Sequence, residues 1–311
     1  MQWGNLRLGG QGATADGMHS ATATVLPLFM FRRSDSDTIP RMRIGIAQTN
    51  PQFGQRDANL ASALDLLASV DAELWVLPEF FSTGYHFATA DEVQALAEPV
   101  PDGPSTAALA AYAAKHGCTL VAGVPERAHD GRLYNAAVTV GPGGYVAHYR
   151  KIHLFSAEKR WFVPGDIPYA VLDVGPARVG TMICFDHLFP ESARSLALLG
   201  ADIIAHPANL ILPDLAQRTM MTRAIENGVF TATANRVGEE TRNGRTLRYT
   251  GQSQIVSPAG QLLARLSPDR EEVAVVDIDP ADARDKSLTS QNDKLADRRP
   301  EMYVLKPYVG L

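Results

Sequence analysis

Short apolar runs alternate with amphipathic segments along most of the chain. Runs rich in Val, Ile and Leu that end at Gly, Pro or polar residues predict strands. Apolar residues that recur on one face at a helical spacing predict helices. The predicted strands are Arg43–Gln48, Leu74–Leu77, Thr119–Val124, Asn135–Val140, Tyr145–Tyr149, Arg178–Cys184, Asp202–His206, Val229–Asn235, Gln252–Ser257, Gln261–Leu266 and Val273–Ile278. The predicted helices are Asn59–Ser69, Thr106–His116, Glu191–Leu199 and Ala216–Glu226.

Helices and strands interleaved in this way predict an α/β protein with layered sheets. Two tight turns, Gly141–Gly144 and Pro258–Gly260, predict hairpins, so part of the sheet structure must be antiparallel. A doubly wound parallel sheet therefore fits poorly. Because no linker interrupts the pattern and no repeat is visible, we assign residues 41–290 to a single domain.

The two ends of the chain differ from this domain. Residues 1–40 mix Gly, Ser, Thr and Ala with one short apolar patch and show no sustained period. We interpret them as a disordered or non-native extension, a tag remnant or a misassigned start before Met42. Residues 291–311 are polar and then aromatic. We interpret them as a tail that packs at a subunit interface, or that lies back on its own domain.

Composition narrows the function. The chain has 311 residues, 45% of them hydrophobic, which is enough for a large core. A net charge of −5 with scattered Lys and Arg argues against a nucleic-acid partner, and no apolar run approaches the roughly 20 residues that cross a bilayer. Two cysteines cannot form a disulfide framework, and no His or Cys pattern has a metal-ligand spacing. We therefore predict a cytoplasmic protein with two free thiols and a small-molecule substrate, without a membrane partner.

Three chemically active side chains follow predicted strands. Glu79 lies beside apolar neighbours, and burial would make it a better proton acceptor. Lys151 precedes an apolar stretch, where a buried ammonium needs an acidic partner. Cys184 lies where a strand gives way to a turn and a helix, so backbone N–H groups are near the thiol. Taken singly, a glutamate or lysine at such a position is more often a solvated surface residue. A free cysteine is more often a buried core residue, which is what we assign to Cys118.

Together, these segments resemble the nitrilase superfamily of carbon–nitrogen hydrolases. The motifs that carry the resemblance are Leu77-Pro78-Glu79-Phe80, Tyr149-Arg150-Lys151-Ile152-His153-Leu154 and Ile183-Cys184-Phe185-Asp186 with Phe189-Pro190-Glu191. They occur in the family's order and at similar separations. Supporting signatures include Gly123-Val124-Pro125-Glu126, Tyr134-Asn135-Ala136 and Pro207-Ala208-Asn209. The resemblance extends from about Met42 to Tyr303.

The resemblance implies a fold, an assembly and a mechanism. The fold is a four-layer α-β-β-α sandwich, the assembly is a homodimer or larger homo-oligomer, and no metal or organic cofactor is needed. Glu79 is the general base, and Cys184 is the nucleophile. Lys151 and the backbone N–H of Phe185 stabilise the tetrahedral intermediate. Glu158 matches the second glutamate that helps to position the substrate and the lysine.

The substrate class is more open. An aromatic residue and Asp after the nucleophile, here Phe185-Asp186, are commoner in amidases and carbamoylases of the family. We therefore expect hydrolysis of a small linear amide to acid and ammonia through a thioester. The alternatives are a small aliphatic nitrile, which the likeness of Ile183–Asn227 to an archaeal nitrilase favours, or an N-carbamoyl compound. An acyltransferase would share the thioester, and a catalytically silent module is disfavoured by the intact motifs.

Several further residues are candidates for the substrate pocket. They are Phe81, Tyr85, His153, Phe185, His187, His206 and Asn209. His187 and His206 also fit structural histidines. No arginine cluster marks a substrate that bears a carboxylate, and Arg160 is the one candidate for that role.

Overall fold

The computed structural model describes residues 40–303, so all but the last residue of the predicted extension 1–40, and residues 304–311 of the tail, lie outside the described residues. The strands are β1 (Met42–Gln48), β2 (Leu74–Val76), β3 (Thr119–Arg127), β4 (Leu133–Gly141), β5 (Gly144–Arg150), β6 (Val171–Val174), β7 (Ala177–Thr181), β8 (Ile203–Pro207), β9 (Phe230–Ala234), β10 (Glu239–Arg242), β11 (Arg245–Arg248), β12 (Gln254–Val256), β13 (Leu262–Arg265), β14 (Glu272–Ile278), β15 (Ser287–Thr289) and β16 (Asn292–Asp293). The α-helices are α1 (Arg56–Leu67), α2 (Ala90–Leu96), α3 (Pro104–His116), α4 (Pro190–Leu198) and α5 (Leu215–Asn227). Short 3-10 helices span Ser156–Arg160, Cys184–Leu188, Pro280–Ala283 and Pro300–Met302.

Most strands belong to two mixed six-stranded sheets. The first has the order β14-β1-β2-β3-β4-β5, and the second has the order β13-β12-β9-β8-β7-β6. Parallel strands form the middle of each sheet, β1 to β3 in the first and β7 to β9 in the second. Hairpins add antiparallel strands at the edges, including the predicted turn at which Gly141 pairs with Gly144. The two predicted hairpins are confirmed.

The strands alternate between two apolar environments. Ile44 on β1 and Ile203 on β8 belong to one buried cluster between the sheets. Trp75 on β2 packs on the outer side of the first sheet with residues of α1 and α3, and Ile204 packs on the outer side of the second sheet with residues of α4 and α5. The period of two along each strand therefore supplies one inner and one outer apolar face. These layers confirm the four-layer α-β-β-α sandwich.

Both sheets present the carboxyl ends of their parallel strands to one edge of the sandwich. Thr49, just after β1, and Arg236, just after β9, form a parallel bridge between the sheets. Strand β5 runs in the same direction as β2 because two antiparallel pairings, β3 with β4 and β4 with β5, separate β5 from the parallel pair. Residues that follow β2, β5, β7 and β8 therefore meet at this edge, the usual position of a site in such sheets.

The structure departs from the sequence predictions in the short elements. Helix α2, strand β6 and the hairpins β10–β11 and β15–β16 were not predicted, because two to seven residues are too few to show a clear period. Strand β7 ends at Thr181, so the predicted strand Arg178–Cys184 is three residues too long. Among residues 40–303, no helix combines the length and apolar character needed to cross a membrane.

Candidate active site

Glu79 lies three residues beyond β2 in a tightly packed turn. Its side chain is fully buried, and the neighbouring Phe80 has a left-handed backbone with φ of 50°. Gly123 on β3 lies directly behind it, and its N–H donates to the carbonyl of Pro78 at 3.1 Å. A Cβ at position 123 would lie 2.4 Å from the Cα of Glu79, so only glycine permits this close approach.

We expect Gly123→Ala to lower kcat by about a hundredfold, because the added methyl group must displace the Glu79 backbone. The free energy of unfolding should also fall, by about 1–3 kcal/mol, as in other overpacked sites. Gly143→Ala is the matched control, since nothing lies within 4 Å of a Cβ there. Steady-state kinetics and urea unfolding of both variants measure the two effects, and equal kinetics for both variants would contradict this role of Gly123.

Lys151, the residue after β5, joins two buried carboxylates. Its Nζ donates to Oε1 of Glu79 and to Oε1 of Glu158, each at 2.8 Å, and all three side chains are almost completely buried. Glu79 Oε1 also accepts from Nδ2 of Asn135 at 2.6 Å, whereas no described residue gives its Oε2 a hydrogen bond. Tyr85 OH donates to Glu158 Oε1 at 2.5 Å. The structure thus brings Glu79, Lys151 and Glu158 together as one chain of charges.

The segment that carries Tyr85 is fixed by a second buried ion pair. Glu240 accepts hydrogen bonds from the backbone N–H groups of Tyr85, at 3.2 Å, and His86, at 2.6 Å. Arg236, which is fully buried, pairs with Glu240 and stacks 4.0 Å from the ring centre of Tyr249. Glu240 therefore holds the backbone of the residue whose hydroxyl contacts Glu158.

Burial and neighbouring charges shift the pKa values in this cluster. Burial raises the pKa of Glu79, Lys151 opposes that rise and Glu158 adds to it. Burial acts to lower the pKa of Lys151, but the carboxylates of Glu158 and Glu79 outweigh it and raise that pKa. The lysine is therefore a permanent cation, and Glu79 is a stronger base than a solvated carboxylate.

Cys184 is presented by a sharp turn after β7. It begins a 3-10 helix, and its φ of 41° is unusual for a residue with a side chain. The turn is held from two sides. Asp186 Oδ2 accepts from the N–H of Ile183 at 2.9 Å, and His206 Nε2 lies 2.9 Å from the carbonyl oxygen of Cys184. The thiol itself is 3.9 Å from the carbonyl oxygen of Asn209, which follows β8.

The resting thiol is neutral. Burial raises the pKa of Cys184 well above its usual range, and the charge of Glu79 raises it further, whereas Lys151 lowers it. The charges of Glu79, Lys151 and Glu158 therefore act on the sulfur of Cys184. A neutral thiol with a high pKa needs a base before it can attack carbon.

Two histidines near the turn are neutral as well. Burial lowers the pKa of His206 to about 3 and that of His187 to about 4. Because the Cys184 carbonyl only accepts, His206 Nε2 must carry the proton, and its Nδ1 accepts from Thr233 at 3.1 Å. His206 therefore holds the turn through these hydrogen bonds, which corresponds to the structural histidine that was one of the two roles considered for it from the sequence.

Two adjoining cavities open at this edge. The Glu158 cavity, of about 520 Å³, is lined by Tyr85, Glu158 and several aromatic rings. The Cys184 cavity, of about 360 Å³, is lined by Cys184, Phe185, His187 and Asn209. Phe155 and Ile211 line both, so the two cavities form one cleft.

Two of the predicted pocket residues, Phe81 and His153, lie elsewhere, and so does Arg160, the residue considered for a substrate carboxylate. Phe81 is buried in the apolar cluster between the first sheet and its helices, because the left-handed turn at Phe80 directs Phe80 to the cleft instead. The ring of His153 stacks on that of Phe189 with the ring centres 3.7 Å apart, and its Nδ1 lies 2.8 Å from Asp186 Oδ1, so His153 packs against the turn at Cys184. Arg160 is exposed and lines neither cavity.

Sequence reasoning assigned no role to two polar residues of this site. Asn135 contacts Glu79, and a single amide within an otherwise apolar strand was the available signal. Asp186 also accepts from Tyr149 OH at 2.9 Å and so ties the Lys151 and Cys184 segments together. No group of three or more His, Cys, Asp or Glu side chains within residues 40–303 is arranged to hold a metal ion.

Comparison with known proteins agrees with this geometry. The family profile described as carbon-nitrogen hydrolase matches residues 43–286. A protein of Pyrococcus abyssi named nitrilase is 48% identical over 265 residues, which cover 84% of this chain and 99% of that protein. An (R)-stereoselective amidase of Pseudomonas is 33% identical, over 83% of this chain and 92% of its own length. The solved structure of a mutant amidase from Nesterenkonia is 30% identical with a TM-score of 0.69, over 86% of this chain and 98% of that chain.

The chain therefore belongs to the carbon–nitrogen hydrolase family of the nitrilase superfamily. It is a hydrolase that acts on carbon–nitrogen bonds other than peptide bonds.

Proposed function

We propose that this protein hydrolyses a small linear amide to the carboxylic acid and ammonia, with Cys184 as the nucleophile. The observation that carries the proposal is the buried chain of Glu79, Lys151 and Glu158, whose charges act on the Cys184 thiol. The mutant Nesterenkonia amidase, a relative of the same fold, carries the acetamide moiety of fluoroacetamide covalently at its active-site cysteine. Its likeness to this chain supports a cysteine nucleophile here.

Glu79 is the general base in the first step. Its Oε1 is held by Asn135 and Lys151, which leaves Oε2 to take the proton from the thiol of Cys184. The sulfur then bonds to the amide carbon, and negative charge moves to the carbonyl oxygen. The Lys151 ammonium and the backbone N–H of Phe185 stabilise that oxyanion. Glu158 holds the ammonium in place, and Tyr85 orients Glu158.

Collapse of the intermediate breaks the carbon–nitrogen bond. Protonated Glu79 returns its proton to the leaving nitrogen, so ammonia departs and a thioester with Cys184 remains. Water then enters, and Glu79 takes one of its protons as the oxygen attacks the thioester. The second tetrahedral intermediate releases the acid, and the proton on Glu79 returns to the sulfur. Phe185, Asn209 and Tyr85 line the cleft that holds the substrate.

A nitrile is the second candidate substrate, because the relative at 48% identity is named nitrilase. The pair Phe185-Asp186 after the proposed nucleophile favours an amide, because an aromatic residue followed by Asp at this place is commoner in the amidases and carbamoylases of the family. Ammonia release from a panel of small amides, N-carbamoyl compounds and aliphatic nitriles tests the proposal, with Cys184→Ala as the blank. Turnover of nitriles alone would make the second candidate correct, and no turnover at all would refute both.

We expect Glu158→Gln to move the acidic limb of the kcat/KM profile to lower pH. Glu79 must be ionised to act as base, so activity is lost as the pH falls through its pKa, which lies above the ordinary 4.5. Glu158 contributes to that rise, and its removal must therefore lower the pKa of Glu79. Profiles of kcat/KM against pH measure the shift, with Glu191→Gln as an exposed control on α4. A limb that stays in place, or moves to higher pH, would exclude this coupling.

We also propose that the protein is a cytoplasmic homodimer or larger homo-oligomer. Exposed apolar side chains on α4, α5 and the start of the tail, including Leu198, Ile225 and Met302, support a subunit interface that includes the predicted tail. The two free cysteines support a reducing compartment, because Cys184 must remain a thiol to act as nucleophile. Light scattering of the purified protein measures the assembly.

A further inference from the structure

We propose that His206 is a positioning residue of the reaction, which holds the peptide between Cys184 and Phe185 so that the Phe185 N–H faces the substrate. This inference rests on the proposed amide hydrolysis, in which that N–H stabilises the oxyanion. It gives a buried histidine a part in the chemistry beyond the stability of the turn. His206 lines neither cavity, so it acts through the peptide and does not contact the substrate.

The peptide between Cys184 and Phe185 is held by its carbonyl group. Nε2 of His206 donates to the carbonyl oxygen of Cys184 at 2.9 Å. This peptide is trans, and in a trans peptide the C=O and the N–H lie in one plane and point in opposite directions. The N–H of Phe185 therefore points away from His206. Because Cys184 and Phe185 line the Cys184 cavity and His206 does not, this direction leads into the cleft.

The N–H of Phe185 is available to an oxyanion. Within residues 40–303, no group accepts a hydrogen bond from it. Two other N–H groups of the turn are already used, since Ile183 donates to Asp186 Oδ2 at 2.9 Å and Asp186 donates to the carbonyl of Ile183 at 3.0 Å. A backbone N–H beside a cavity needs an acceptor, and the oxyanion supplies one. A rotated peptide would turn the Cys184 carbonyl toward the cleft instead, where its oxygen would repel the oxyanion.

His206 is fixed in the form that this role requires. Its side chain is fully buried on β8, and the hydroxyl of Thr233 on β9 donates to its Nδ1 at 3.1 Å. The proton of the neutral ring is therefore on Nε2, the nitrogen that faces the carbonyl. Burial lowers the pKa of His206 to about 3, so the ring stays neutral over the pH range in which Glu79 is ionised. The hydrogen bond to Cys184 is thus present whenever the base can act.

Two reactions of the Cys184 thiol test this role, because only one of them forms an oxyanion. Attack on an amide does so, whereas methyl methanethiosulfonate forms a disulfide with the sulfur and releases methanesulfinate. In His206→Leu we expect kcat/KM for the best amide of the panel to fall by about thirtyfold or more. The rate of disulfide formation should stay within about threefold of the wild type, since thiol and base are unchanged. Both rates are measured in a Cys118→Ala background, so that one described thiol remains.

His206→Gln is the conservative variant. Its side-chain amide can donate to the Cys184 carbonyl in place of Nε2, so kcat/KM should stay within about fivefold of the wild type.

A matched pair of threonine variants tests the same role with His206 in place. Thr233→Val removes the hydroxyl that donates to Nδ1 and so frees the other tautomer, and we expect kcat/KM to fall by about three- to tenfold. Thr231→Val is the control, because Thr231 is buried on the same face of β9 and its hydroxyl has no hydrogen-bond partner among the described residues. Its kcat/KM should equal that of the wild type.

Equal losses of hydrolysis and of disulfide formation in His206→Leu would mean that the histidine only maintains the turn, and would overturn the inference. Unchanged hydrolysis in His206→Leu would overturn it too. If His206→Leu does not fold, the threonine pair decides, and equal kcat/KM in Thr233→Val and Thr231→Val counts against the inference. Each of these results leaves amide hydrolysis by the wild type intact. If the wild type hydrolyses no amide at all, the proposed function fails, and this inference fails with it.

Discussion

Replacing Cys184 by alanine is expected to lower kcat by about four orders of magnitude or more on every substrate of the wild-type protein. In the proposed mechanism the sulfur of Cys184 makes the bond to carbon, and no other described thiol lies in the cleft. The fold should persist, because the substitution removes one buried atom and keeps the 3-10 turn. Ammonia release measures the turnover, and urea unfolding at neutral pH measures the stability.

Cys118→Ala is the matched control for this prediction. Cys118 is equally buried, but it lies in the apolar cluster behind the first sheet and contacts none of the charged residues of the site. Its replacement should leave kcat within about twofold of the wild type and cost about 1 kcal/mol of stability. Acid-quenched wild-type protein should gain the mass of the acyl group, and Cys184→Ala should not. Full activity in Cys184→Ala would contradict the assignment of the nucleophile.

The long helices and strands could be predicted because their apolar residues recur at a clear helical or strand spacing. Helix α5 is longer than its prediction by one residue at each end, and strand β1 is longer than its prediction by one residue at its start. Helix α2 was not predicted, because it has only seven residues and a single buried apolar side chain, Val93. The packing of two sheets between layers of helices came from the family resemblance. The order of the strands was not predicted, since apolar patterns alone do not specify which strands are neighbours.

The residues of the candidate site also divide into those that the sequence could predict and those that it could not. The resemblance brought Glu79, Lys151 and Glu158 together, and the structure places them in one buried chain of charges. The orientation of Phe81 was not predictable, because the left-handed residue before it breaks the alternation that would assign its face.

Lys151→Met is the second substitution with a large expected effect. It removes the ammonium that we propose to hold the oxyanion, and this loss alone should lower kcat by about a thousandfold. It also leaves Glu79 and Glu158 buried near each other without a cation, and the pKa of Glu79 should rise further because Lys151 normally lowers it. Glu79 would then be protonated over more of the pH range and would fail as a base. Loss of one partner of a buried ion pair should cost about 3–5 kcal/mol of unfolding free energy.

A second substitution separates the catalytic loss from the electrostatic one. In the double variant Lys151→Met with Glu158→Gln, one of the two uncompensated carboxylates is gone, so part of the lost stability should return. Turnover should not return, because no cation replaces Lys151 beside the oxyanion. Lys115→Met, at an exposed position on α3, controls for the loss of one surface charge and should match the wild type. Recovery of kcat together with stability in the double variant would mean that Lys151 only balances charge, and would exclude it from the oxyanion site.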